Sequence, residues 1–159
     1  MDTPAQYRIL VGALRWQHAQ WLGVFYPEEL PAEWQLSFYN TQFRCVYVPN
    51  ADWQTLSETD AGTWLTDTLV NFRFILQASN SSTQLGAGFL QALGPRALVE
   101  SAANPHVHLL WFPPKPDLRA LRQEIQRAAD HGHELYLLSR EGCLPAMEAV
   151  RSLVELMGY

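Results

Sequence analysis

Apolar and polar positions along this chain fall into short blocks whose period keeps switching between strand and helix. Tyr7–Ala13 is a short aliphatic run containing Gly12, the pattern of a buried strand. Pro27 and Pro31 punctuate the loop after it. Pro31–Phe43 reads as a helix, with Pro31 in its first turn and Trp34, Phe38 and Phe43 as its apolar side. Arg44–Val48 is a second strand, stopped by Pro49. Glu58–Val70 is a second helix, with Trp64, Leu65 and Leu69 apolar and Ser57 or Asp60 near its start. Phe72–Ala78 alternates most clearly, placing Phe72, Phe74 and Leu76 on one face.

Ser79–Thr83 is a polar loop. Gln84–Leu93 reads as a helix that Pro95 interrupts and that resumes over Arg96–Ala103. Val107–Phe112 is a fourth strand, ended by Pro113 and Pro114. An amphipathic helix covers Asp117–His131, with Leu118, Leu121 and Ile125 on one side and Gly132 as its C-cap. Leu135–Leu138 is a fifth strand. The last helix carries Leu144, Met147, Val150, Val154 and Met157 at helical spacing and ends at Gly158. That stripe reads as core contact, not as a cofactor box.

Strand starts near Tyr7, Arg44, Phe72, His106 and Glu134 recur at the length of one βα unit, about thirty residues. Strand–helix alternation predicts an α/β fold with a parallel sheet and right-handed crossovers. No linker or low-complexity segment interrupts residues 1–159, so one domain is expected.

Composition narrows the partners. The chain has 159 residues, 48% of them hydrophobic, which suffices for a buried core. Net charge is −5, and Lys115 is the one lysine among eleven basic residues. With the arginines scattered, no basic patch for nucleic acid or an anionic membrane is expected. The opening MDTPAQYRIL lacks a signal-peptide pattern, and no apolar run reaches the length of a membrane span. The expectation is a cytoplasmic protein with Cys45 and Cys143 as free thiols.

Several segments resemble the YecE-like family, domain of unknown function 72. The family opens with a strand, a Gly-Thr-Ser-Gly-Trp turn and a Trp-x-Gly-x-Phe-Tyr-Pro segment. Gly12 and Trp16 keep the first frame; Trp21, Gly23, Phe25, Tyr26 and Pro27 match the second. Pro31-Ala32-Glu33-Trp34, leading through Tyr39 to Phe43, fits the next piece. Phe72-Arg73-Phe74 with Gln77-Ala78-Ser79 resembles the family's third strand, and Leu109–Pro114 its Leu-x-Phe-Gln-Leu-Pro-Pro strand. The resemblance implies a TIM-barrel-like fold and no firmly established activity. The fold expected is thus an incomplete TIM-barrel-like parallel sheet of about five βα units, since a full barrel takes about 250 residues. An open, flattened doubly wound sheet is the alternative. Glu134–Gly158 matches either the family's fifth unit or its last strand and helix.

The departures fall on polar positions. The family's Thr-Ser-Gly is Ala13-Leu14-Arg15 here. Its Val-Glu-x-Asn strand aligns with Val46, Tyr47 and Pro49, followed by Asp52 and Trp53, so the carboxylate and amide are gone. The lysine usual after the third strand is Gln77. Strand exits are where such folds build sites. The candidate ligand-binding residues are therefore Arg15, Trp16, His18, Trp21, Tyr26, Asp52, Gln77, Lys115 and Arg140, with Asn50 and Ser79 beside them. Arg15, Lys115 and Arg140 together would suit a small anion.

Other constellations read as structural. His106 and His108 share a face, at legitimate metal-ligand spacing, but sit at the strand entrance with no third ligand nearby in sequence. No metal site or cofactor is expected. His131 and His133 flank Gly132, where cations favour a helix C-terminus. Cys143 lacks an orienting carboxylate, and Gly86-Ala87-Gly88 is too short for a P-loop. Retained apolar framework with lost polar groups predicts a chemically degenerate relative that acts in binding or self-association. A homodimer using the last helix or an edge strand is the expected assembly. The alternative is an enzyme acting on a small phosphorylated or carboxylated molecule at the strand-exit face.

Overall fold

The computed structural model describes residues 8–78, 86–100 and 104–159. Ser79, the Asn80-Ser81-Ser82 triplet, Gln84 and Ala103 lie outside the described residues. Two compact units divide the chain: residues 14–101 form one, and residues 1–13 with 102–159 form the other.

In the first of these, 3₁₀ turns at Ala19–Trp21 and Ala32–Trp34 lead into α1 (Gln35–Asn40). Strand β2 (Cys45–Val48), helices α2 (Asn50–Trp53) and α3 (Glu58–Asp67), strand β3 (Arg73–Leu76), helix α4 (Ala87–Leu93) and strand β4 (Ala97–Val99) follow. The strands pair in the order β4-β3-β2, all parallel, with Val46 opposite Phe74 and Ile75 opposite Leu98. Cys45 through Val48 are all buried, so β2 has cover on both faces, as a parallel strand requires. Helix α3 starts at a capping box. Asp60 N donates to the Ser57 hydroxyl, and Ser57 N donates to the Asp60 carboxylate at 2.8 Å.

The other unit holds β1 (Ile9–Leu14, through Ala13), β5 (Val107–Phe112), α5 (Leu118–His131), β6 (Glu134–Ser139) and α6 (Leu144–Leu156). Its strand order is β1-β6-β5, again parallel, with Val11 opposite Leu137 and Val107 opposite Glu134. Helix α5 is bounded as its sequence predicts. The Asp117 carboxylate accepts from Arg119 N and Ala120 N at 3.1 Å, and Gly132 closes the helix at φ +70°. Leu121, Ile125 and Ala128 are its buried stripe. Met147, Val150 and Val154 of α6 are buried too, and α6 packs on β6 and α5.

The class is α/β, with six parallel strands among the described residues, three in each unit, consistent with an incomplete TIM-barrel-like fold. The pairing of β6 with β1 resolves an ambiguity of the sequence. In a closed barrel the last strand neighbours the first. Glu134–Leu156 therefore occupies the place of a last unit.

Two expectations need correction. There are six strands, not about five, because Ala97–Val99 pairs with β3 where a resumed helix was expected. An apolar triplet after Pro95 has no helical commitment of its own, and the ladder beside it decides. Helix α3 ends at Asp67, leaving Leu69 66% exposed, and Trp34 is 58% exposed instead of facing the core. Met147, Val150 and Val154 of the α6 stripe are buried against β6 and α5 of the same unit.

Candidate functional site

The turn after β1 has an unusual backbone. Arg15 adopts φ +62°, the one positive φ of a non-glycine among the described residues. A side chain there crowds its own carbonyl, at about 1–2 kcal/mol. Arg15 N donates to Tyr47 O at 2.9 Å, which holds the turn against β2. This is the position where the resembling turn carries glycine.

The Arg15 side chain reaches Asp52 in α2, with Nε to Oδ2 at 2.7 Å and Nη2 to Oδ1 at 3.4 Å. The carboxylate, first by hydrogen bonding, raises the guanidinium pKa further above its ordinary value. Both side chains are more than a third exposed, so the pair contributes under about 1 kcal/mol. An open cleft of about 460 Å³ lies beside them, lined also by Trp16, Gln17, Val48, Leu56 and Trp64. Its floor is apolar, and Trp16 meets Trp64 edge-on at 5.0 Å.

Other candidates turn inward. Trp21 is fully buried and stacks on Tyr39 at 6.0 Å. Tyr26 is buried, its hydroxyl donates to Trp16 O at 2.7 Å, and burial pushes its pKa up. Within the same segment Gly23, at φ +76°, donates to Tyr26 O, while Phe25 N and Tyr26 N donate to Trp21 O. The Trp-x-Gly-x-Phe-Tyr-Pro segment is thus a self-bonded turn wrapped around a tryptophan, a structural device. His18 lies over Trp21, with ring centroids 4.3 Å apart, and its Nε2–H donates to Leu14 O at 2.6 Å. Desolvation lowers its pKa. Gln77 is occupied by α2: its Oε1 accepts from Asn50 N, and its backbone carbonyl accepts from Trp53 Nε1. Asn50 Nδ2 is buried without a partner among the described residues.

In the other unit, Arg140 lies 4.2 Å over the Trp111 ring, and Lys115 is exposed after β5. Cys143 stands at the N-cap position of α6 as a free thiol that makes no capping bond; Cys45 is buried in β2, and burial raises its thiol pKa.

One grouping was not legible as such. Across the β5–β6 ladder, His108 Nε2 stands 3.0 Å from His133 Nδ1. His106 and His131 bring their rings within 5.5 and 5.6 Å of the His133 ring. Desolvation first, then the charges of His108, His106 and His131, lower the His133 pKa. His131 does cap its helix, through Nδ1–H donating to Arg127 O at 2.7 Å. His133 does not; it turns to His108. The signal was the repetition of His-x-His at two successive strand entrances, joined by one helix.

A βα-repeat chain with a cleft beside its first strand-exit turn is a member of the TIM-barrel-like class by topology. Within that class it belongs to the family described as protein of unknown function DUF72, the YecE-like family, whose model matches residues 10–129. Searches of curated proteins and of solved structures return no match. No helix among the described residues is long and apolar enough to cross a membrane.

Proposed function

We propose that this chain acts by self-association, as a homodimer joined through the β5 edge of its strand order. The observation that carries this reading is the state of that edge. Val107–Phe112 pairs with β6 and stands last in the strand order among the described residues, with Leu109 and Leu110 half-buried on it. Strand β6 beside it is buried from Leu135 to Ser139. An apolar strand at the end of a sheet is a template for another strand, and a second copy is the partner always present. A stable interface would bury more than about 1,000 Å².

Glu134 N donates to His106 O, so by strand alternation the Leu109 N–H points away from β6. Leu109→Pro removes an outward donor and spares the β6 ladder. Sedimentation at micromolar concentration is expected to show a dimer for the native chain and monomer for Leu109→Pro, with the fold retained by circular dichroism. A native chain that stays monomeric at all concentrations overturns the reading.

The enzyme reading draws on the cleft beside Arg15. It is the weaker of the two, because Asp52 already neutralises the guanidinium that an anionic substrate would need.

A further inference from the structure

Association through β5 leaves unused an open cleft of about 460 Å³, built wholly from the unit of residues 14–101. Small-molecule sites have volumes of about 300–1,000 Å³, so the cleft is large enough for one. Val48, Leu56, Trp16 and Trp64 make its floor apolar, with the two indoles edge-on at 5.0 Å. Arg15, Gln17 and Asp52 are exposed and make its rim polar.

The rim offers both kinds of hydrogen-bonding group and no net charge. Arg15 Nε donates to Asp52 Oδ2 at 2.7 Å, and Nη2 to Oδ1 at 3.4 Å. These bonds use only part of what a guanidinium donates and a carboxylate accepts, so free donors and acceptors stand side by side. Gln17 adds an amide with both. A hydroxyl joins such a pair without breaking it, accepting from the guanidinium or donating to the carboxylate. An anion meets the charge of Asp52 at close range.

The backbone gives a second, independent sign. Arg15 is held at φ +62° by its N–H bond to Tyr47 O. A non-glycine residue keeps that conformation only where its surroundings impose it, and such positions cluster at ligand clamps. Glycine would take the same turn freely and supply no donor to the rim. The strained residue is the one whose side chain lines the cleft.

We propose that this cleft binds a neutral hexose. A pyranose ring has apolar C–H faces and carries its hydroxyls around the edge. One face lies on the floor of Val48, Leu56 and the indoles, and the hydroxyls reach Arg15, Asp52 and Gln17. An open cleft covers one face of a ring, so a nucleobase, apolar on both faces, would leave one of them in water.

The test is saturation-transfer NMR of the full chain with glucose, galactose and mannose, alongside glucose 6-phosphate and adenosine. Tryptophan emission is followed in parallel, because Trp16 and Trp64 line the cleft. Saturable binding of at least one neutral hexose is expected, tighter than that of glucose 6-phosphate or adenosine. Arg15→Gly keeps the turn and removes the rim donor, and is expected to weaken that binding about tenfold, the loss of one hydrogen bond to a charged group. Asp52→Ala is expected to weaken the hexose similarly and to strengthen glucose 6-phosphate, since it frees the guanidinium. Absence of saturable hexose binding overturns the proposal. So does tighter binding of glucose 6-phosphate or adenosine to the native chain, or hexose binding that Arg15→Gly and Asp52→Ala leave unaltered.

Discussion

The turn-and-loop segment from Arg15 to Phe43 and the histidine edge of β5–β6 use polar groups in opposite ways. In the first, the polar atoms close on the chain itself. Tyr26 bonds to Trp16 O, Tyr39 to Cys45 O, His18 to Leu14 O, and Arg15 to Asp52. Around them Trp21, Tyr26, Tyr39 and Phe43 are buried almost completely. In the second, imidazoles face one another and a cleft, with His108 and His131 exposed. The comparison teaches that the family motif, which draws the eye in the sequence, marks a packing device. The imidazoles at the strand entrances, by contrast, keep an open cleft beside them.

The largest expected effect tests the first half of this contrast. Trp21→Ala empties a fully buried site and is expected to cost about 3–5 kcal/mol in chemical denaturation. A loss under about 1 kcal/mol would show that the aromatic cluster is not a core, and the comparison would fail.

A smaller effect belongs to Arg15. Arg15→Ala keeps a Cβ at φ +62° and removes the ion pair, whereas Arg15→Gly also relieves the backbone. Glycine is expected to be more stable than alanine there by about 1 kcal/mol. Equal stabilities would mean that the turn relaxes, and that the strained conformation is not imposed by its surroundings.

The smallest effect is a pH dependence. His18 is half-buried, and desolvation holds its folded pKa below the ordinary 6.5. The unfolded chain therefore takes up the proton first. The stability associated with neutral His18 is present above about pH 6.5 and falls as the pH drops toward the folded value. Denaturation at pH 7.5 and 5.5 is expected to show a smaller loss for His18→Gln than for the native chain. An identical loss would place the dependence on other groups and remove His18 from the closed cluster.

Much of this protein was legible in one sequence. The periods of its apolar residues located β1, β2, β3, β5 and β6 within a few residues. Asp117 and Gly132 marked both ends of α5, and the Trp-x-Gly-x-Phe-Tyr-Pro segment carried the family. These features are local, because a strand's alternation, a cap and a left-handed glycine are decided by residues close along the chain. The turn of Arg15 toward Asp52 was not among them, because that ion pair spans 37 positions.

Strand neighbours were beyond the sequence. Nothing in Glu134–Ser139 says that it lies against Ile9–Ala13, nothing in Ala97–Val99 says that it pairs with Phe74–Leu76, and no spacing alone sets His133 beside His108. Alternation fixes which face a side chain takes. Which strand lies alongside is decided by hydrogen bonds between distant segments, and those bonds set both the place of β5 at the end of the strand order and the meeting of the histidines.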